Sequence, residues 1–349
     1  MTSKSIFSLA LAAAFAFGLA GCGQPQQAPA DAQSAAEPGA EAAAEKTIRI
    51  GVMPKLIGID YFNAAETGVK EAAAALGVEV DYDGPVEPDV TRQVQMIDTW
   101  ITRRYDAICV APNDPDAISD VLKKARQRGV KVITWDTDAQ LDARDFFVNQ
   151  TTSKGIAHTV MDIMAEGVGP EAKFINITGT LTAANQNTWM KLMEEYRQQK
   201  YPGMVNLSPT PKESGEDQAR ATQVCDDSLK AYPELQGIFA LTSVALPGSA
   251  EALRKAGAAD RIFLTGLATP KAMKEYVLDG TVKKFVLWNV PDLGYLTVHA
   301  AVAAVKGDLT PESESFNTGR ITTSRKEGTE IILGDPLVFT KDNIENFDY

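Results

Sequence analysis

The chain has 349 residues, with 46 acidic against 34 basic side chains and a formal net charge of −12. An acidic chain without basic runs is a poor partner for nucleic acid or an anionic membrane surface. The stretch from Lys46 onward is long enough for two lobes, each with its own core.

In chain order, Lys4 stands in a short polar region, residues 6–19 are almost wholly apolar, and Leu19-Ala20-Gly21-Cys22 follows directly. The apolar stretch is too short and too close to the start for a membrane span, and it reads as a secretory signal. Leucine-small-small-cysteine is the pattern of a lipoprotein signal peptide, so residues 1–21 are expected to be removed and Cys22 to carry the lipid. An ordinary secretory peptide with an incidental cysteine is the alternative. Gly23, not Asp, follows Cys22, so nothing here resembles an inner-membrane retention signal. Residues 22–45 are mostly Ala, Gln, Pro and Glu with almost no bulky apolar side chain. They cannot bury enough area to repay the entropy of folding, and a flexible tether is expected. The protein is expected to be exported and lipid-anchored, facing the periplasm or the cell exterior, with no transmembrane helix.

In the folded part, residues 47–53 read as a strand, 63–76 as a helix, 78–82 as a strand and 90–102 as a helix. A strand at 107–111, a helix at 118–128 and a strand at 130–135 follow, with 146–149 as one more strand. The alternation then starts again. Helices are expected at 153–167, 185–199, 215–231, 247–256, 269–279 and 292–306. Strands are expected at 172–177, 204–209, 237–240, 262–267 and 284–287, with short candidates at 329–332 and 337–339. Strand–helix alternation with short links predicts parallel sheets covered on both faces. Its repetition predicts an α/β protein of two doubly wound lobes, and hence a cleft between them. Cys109 lies in an apolar strand and Cys225 on a helix. Both read as small buried residues, not as a disulfide or a metal site.

Motifs of catalysis and nucleotide binding are missing. No glycine-rich phosphate loop follows a strand, and no Gly-x-Ser-x-Gly elbow is present. His158 and His299 each lie in a helix with no motif around them. No nucleophile stands beside a base, so neither an enzyme nor a cofactor or metal is expected.

What the sequence does carry is polar and aromatic groups at strand ends, where open α/β sheets bind ligands. The run Val132–Trp135 ends in Asp136 and Asp138. Asp136 is expected to be the main anchor, accepting from vicinal hydroxyls, although a surface turn explains the same residues. Lys55 follows the first strand and can donate to a hydroxyl or carbonyl. Tyr61 and Phe62 open the first helix, where they either stack on a sugar ring or pack in the core. Asn113 and Asp114 either bind or form an ordinary turn and helix cap. In the second half, Asn185 and Gln186 offer amide donors and acceptors suited to polyols, and Trp189 lies one turn on. Pro247 and Ser249 start another helix. Asn289 ends a strand. Amides and carboxylates among aromatics make a sugar-type site.

The phrases PKLIG at 54–58, YDGPVEPDV at 82–90, RGVKVITWDTD at 128–138, LTAANQNTWMK at 181–191, ALPGSAEAL at 245–253 and GTVKKFVLWNVPDLGY at 280–295 resemble the periplasmic sugar-binding proteins of ABC importers. The resemblance is to the ribose-binding-like class, and within it to the rhamnose-binding and autoinducer-2-binding group. It implies a type I periplasmic binding protein, two lobes joined by three crossing segments near 150–153, 287–291 and 320–324. The N-terminal lobe would comprise 46–151 plus 290–322, and the C-terminal lobe 152–289 plus 323–349. It also implies a small neutral sugar or polyol as ligand, a membrane permease as partner, and a monomer. Autoinducer-2 receptors are similar at Lys55, Asp136, Gln186 and Pro247, but carry Asp where this chain has Asn185 and Ala where it has Ser249. A rhamnose-like aldose is therefore the expected ligand, with autoinducer-2 the alternative. A sensory receptor using the same cleft is the alternative to transport.

Overall fold

The computed structural model describes residues 46–349; the leader, Cys22 and the tether lie outside the described residues. The first run of elements is β1 (Arg49–Met53), α1 (Asp60–Leu76), β2 (Glu79–Tyr82), α2 (Val90–Thr102), β3 (Ala107–Val110), α3 (Pro115–Gln127), β4 (Lys131–Trp135) and β5 (Phe146–Asn149). The second is α4 (Ser153–Gly167), β6 (Lys173–Thr178), α5 (Ala184–Lys200), β7 (Val205–Asn206), β8 (Lys212–Glu213) and α6 (Gln218–Ala231). It continues with β9 (Gly237–Ala240), α7 (Ala245–Ala256), β10 (Phe263–Gly266), α8 (Pro270–Leu278) and β11 (Phe285–Leu287). Last come α9 (Val290–Lys306), β12 (Arg325–Glu327), β13 (Glu330–Ile332) and β14 (Leu337–Phe339).

Two large sheets result, each the core of a lobe, beside a two-stranded antiparallel pair, β11–β14. The first runs β12-β13-β5-β4-β3-β1-β2, and its pairs are parallel except β12–β13. The second runs β10-β9-β6-β7, with β8 pairing further along β6. In the first, β1 has β2 on one side and β3 on the other; in the second, β6 has β7 on one side and β9 on the other, so each has a topological switch point at its first strand. Ligands of such sheets sit outside the carboxyl ends of the strands at that point. The central strands are buried on both faces, as in the AICV of β3, which is why they read as unbroken apolar runs.

The helix starts are set by short polar caps. The Asp114 carboxylate accepts from the Asp116 and Ala117 N–H groups, both at 2.9 Å, so α3 begins at Pro115, before the expected 118. Asp89 and Asp217 cap α2 and α6 in the same way. A cap of this kind contributes about 1 kcal/mol. Of the expected strand at 204–209 only the two residues of β7 are extended in the sheet; β8 follows beyond that range, and the two pair with different parts of β6.

Crossings between the lobes fall after β5 and after β11. The third lies elsewhere than the expected 320–324. Residues 325–332 form a hairpin whose β13 adds in parallel to β5, and only β14 pairs with β11. The chain therefore stays with the first sheet through Ile332 and crosses after it. Nothing local to the sequence marks this, because the hairpin is held by Arg144, whose guanidinium donates to the Thr329 hydroxyl at 2.7 Å, 185 positions away.

After the second crossing, α9 returns to the first lobe and lies against α1. A side chain at Gly68 would put a Cβ 1.7 Å from the Pro291 carbonyl oxygen, and one at Gly294 would stand 2.1 Å from that of Ala65. The two glycines let the helix backbones touch. That contact seats the start of α1 beside the second crossing, where the cavity lies. Cys109 and Cys225 are buried free thiols, and burial pushes the Cys225 thiol up to about 12. Among the described residues no helix is long and apolar enough to cross a membrane.

Candidate functional site

A small cavity lies between the lobes, at the switch points of both sheets. Lys55, Tyr61, Phe62 and Asp136 line it from the first lobe, and Asn185, Gln186 and Trp189 from the second.

Asp136 is placed by the end of β4. Trp135, fully buried, donates its indole N–H to the Met53 carbonyl at 3.2 Å and packs edge-on against Phe62 at 5.8 Å. With Trp135 held, the chain reverses in a tight three-residue turn, in which the Thr137 N–H donates to the Trp135 carbonyl at 2.6 Å. The turn requires a left-handed backbone at Asp136, with φ of 62°. Asp tolerates this region better than most residues. The carboxylate that results is 4 % exposed, and a buried charge needs partners. One oxygen accepts from the Tyr61 phenol at 2.6 Å, and the other lies 3.6 Å from the Lys55 ammonium. Burial, and then the Asp136 charge, raise the Tyr61 phenol well above its ordinary range, so it stays a donor. Tyr61 in turn accepts from the Trp288 indole at 3.1 Å.

Across the cavity, the Gln186 side chain is fixed at both ends. Its carbonyl oxygen accepts from the Thr178 hydroxyl and from the Gly179 N–H at 2.8 Å. Its amide donates to Glu216 at 3.1 Å. The other oxygen of Glu216 accepts from the Thr242 hydroxyl. Glu216 sits in a turn from Ser214 to Asp217, closed by an N–H donated to the Ser214 carbonyl at 3.3 Å. Both central residues are left-handed, with φ of 69° at Gly215 and 56° at Glu216. Glycine is at ease there; a glutamate is held at a cost of about 1 kcal/mol or more. Gly179 leaves room for the carboxylate, since a Cβ there would stand 2.0 Å from Glu216 Oε1.

The lobes meet at the cavity through hydrogen bonds. Lys55 Nζ donates to Asn185 Oδ1 at 3.1 Å, and the Thr182 hydroxyl donates to the Asn113 carbonyl at 3.3 Å. The walls are aromatic: Trp288 stands edge-on to Tyr61 at 6.0 Å and to Trp189 at 6.2 Å. Aromatic faces with a few converging polar groups suit a ring that is apolar on its C–H faces and polar at its rim.

Six of the expected residues lie outside the cavity lining. Asp138 is turned to Arg144, which donates to both of its oxygens at 2.8 and 2.7 Å. Asp114 is the cap of α3. Asn113 spends its amide on the Lys55 carbonyl at 2.8 Å, holding the loop that carries Lys55. Asn289 caps α9 by accepting from the Asp292 N–H at 3.0 Å. Pro247 and Ser249 lie within α7, which begins at Ala245 and packs against α6. The strand end just before that helix, Leu241-Thr242-Ser243, reaches the cavity instead. That is the position the strand-end rule favours, and the rule applied at 240 would have found it. Trp288 was legible only as the end of a strand. Glu216 carried no signal, because Ser-Gly-Glu-Asp is an ordinary turn sequence. Among the described residues no group of three or more His, Cys, Asp or Glu side chains is placed to hold a metal.

Comparison with known proteins agrees with this geometry. Residues 50–309 match the model of the periplasmic binding protein domain family. A D-ribose/D-allose-binding protein of Pseudomonas aeruginosa is 28% identical over 248 residues, 67% of this chain and 75% of that one. Among solved structures, LsrB from Clostridium saccharobutylicum in complex with AI-2 superposes with a TM-score of 0.81 at 27% identity, covering 86% of this chain and 100% of that one. An ABC transporter solute-binding protein from Clostridium phytofermentas with bound L-rhamnose gives the same TM-score, 0.81, and the same identity, 27%, covering 86% and 98%. The chain thus belongs to the periplasmic binding protein family, in the superfamily of non-catalytic ribose-, xylose- and rhamnose-binding components of ABC importers.

Proposed function

We propose that the protein is the solute-binding component of an ABC importer, closing its two lobes on one small neutral sugar or polyol and delivering it to a permease. The observation that carries this reading is the cavity between the lobes. It is small, aromatic-walled, and polar where Asp136, Lys55 and Asn185 converge. Hydrogen bonds across the cleft, such as Lys55 to Asn185, support a hinge mechanism in which ligand and lobes close together. We take the architecture as type I, with a first lobe of residues 46–149 plus 290–332 and a second of the remainder. Acylation at Cys22 would hold this monomer at the membrane, facing the periplasm or the exterior.

A rhamnose-like aldose is the favoured ligand. The neutral amide at Asn185, where autoinducer-2 receptors carry Asp, supports this choice. Autoinducer-2 is the second reading, favoured by the similarity to LsrB. Mass spectrometry of ligand released from freshly purified protein, followed by calorimetry with the compound found, separates them. A deoxyhexose or pentose is the expected result, and a five-carbon tetrahydroxy species with autoinducer activity would replace it. Recovery of no small polyol, with no calorimetric response to a sugar panel, would sink the reading as a whole.

A further inference from the structure

Two carboxylates, not one, face the cavity, and they share an unusual feature. Of the three non-glycine residues with positive φ in the described part, two are Asp136 and Glu216. Each carries its carboxylate into the cavity from the opposite lobe. Unfavourable backbone at a cavity, maintained by surrounding bonds, points from the observed outlier to a role. The bonds around Glu216 are specific. Gln186 donates to one oxygen and Thr242 to the other, while the missing side chain of Gly179 admits the group. Each oxygen keeps a further lone pair for a ligand donor.

We infer that Glu216 is the second charged anchor of the ligand, and that with Asp136 it makes the cavity select uncharged polyhydroxy compounds over acids of the same size. The inference rests on the small-sugar reading above and adds to it a residue and a rejected class. Two carboxylates against the single ammonium of Lys55 leave the lining with one net negative charge. Hydroxyls can donate to both carboxylates at once. A uronate or a sugar phosphate would bring its own negative charge among side chains that are mostly buried, Asp136, Lys55 and Gln186 included, where like charges are screened less than in bulk water. Rejection of this kind is specificity by an unfavourable contact with the wrong ligand, beside favourable ones with the right ligand.

Calorimetry on the wild-type protein and on Glu216→Gln, with a panel of neutral aldoses and the matching uronic acids, tests this. Glutamine keeps the shape and can accept from Gln186 while donating to the Thr242 hydroxyl, so folding is expected to hold; the thermal midpoint checks it. The expected result is a neutral sugar bound at least tenfold more weakly by Glu216→Gln, together with at least a tenfold smaller preference for that sugar over its uronic acid. A variant with wild-type affinity and wild-type preference overturns the role of Glu216 and leaves the sugar-binding reading standing. A wild-type protein that binds uronic acids as well as neutral sugars overturns the charge selection. A wild-type protein that binds no sugar of the panel overturns both the reading and the inference built on it.

Discussion

Lys55 and Asn185, 130 positions apart, meet across the cleft with Nζ donating to Oδ1 at 3.1 Å. The lysine is 5 % exposed and also faces Asp136 at 3.6 Å, so one cation serves both the Asp136 carboxylate and the contact between lobes. Lys55→Met removes both. Ligand affinity is expected to fall at least tenfold, since charge-assisted bonds contribute roughly 1.5–3 kcal/mol each. The ligand-free protein is also expected to open. Small-angle scattering should then show a larger difference in radius of gyration between free and ligand-saturated protein than in the wild type. An unchanged difference would mean that the bond does not hold the lobes together.

Cys22 lies outside the described residues, yet its role has a direct test. Cys22→Ala is expected to release the protein from the membrane fraction, with loss of the lipid mobility shift. The tether has almost no bulky apolar side chain with which to enter a core, so urea unfolding of the remainder should be unchanged. A variant still found with membranes and still shifted would show that the anchor is elsewhere.

The fold was largely legible because the central strands are buried on both faces and read as apolar runs, while Asp and Gly residues mark the helix ends. The cavity lining was legible where a strand end coincides with a chemically distinctive residue, as at Lys55, Asp136 and Gln186. It was not legible where placement depends on distant partners. Asp138 looks equivalent to Asp136, but the turn at Asp136 sends it the other way, to Arg144 and through that residue to Thr329. Glu216 reaches the cavity only because Gly179, far back in the chain, leaves space. Pro247 and Ser249 stand off the cavity lining because the helix begins two residues before the proline, which the first turn tolerates.

Acid should weaken the fold through His299. Its ring stacks on Tyr295 at 4.4 Å, and burial, then the nearby Arg320, lower its pKa below the ordinary value. The folded state thus prefers the neutral ring, while the unfolded chain takes up a proton at about pH 6.5. Stability is fully present above that pH and is lost as pH falls from there towards the lowered folded value. The thermal midpoint of the wild type is expected to fall between pH 7 and pH 5, and His299→Phe, which keeps the stacking ring, should flatten that fall. Parallel curves for the two proteins would show that His299 is not responsible.

Asp136 and Asp138 offer the sharpest contrast, two like residues two positions apart with different work. Asp136→Asn keeps an oxygen for the Tyr61 phenol and a side chain that tolerates the left-handed backbone, so it removes the charge with little else. Each ligand bond then drops from a charge-assisted to a neutral one, a loss of about 1 kcal/mol per bond. Two bonds amount to about 2 kcal/mol, or roughly thirtyfold in affinity. Asp136→Ala is a harsher change. It also leaves the Lys55 ammonium with only Asn185, and both affinity, by at least about 100-fold, and stability should fall. Asp138→Ala should do the reverse. Arg144, with a side chain only 3 % exposed, loses its partner at 2.7 Å, while the Asp138 side chain is 27 % exposed. Breaking a fully buried pair costs about 3–5 kcal/mol, and the partial exposure brings the expected loss to about 2–3 kcal/mol. Urea titration should show that loss, and calorimetry should show ligand affinity within threefold of wild type. Asp138→Ala with normal stability and abolished binding would mean that the two carboxylates exchange roles when ligand is present.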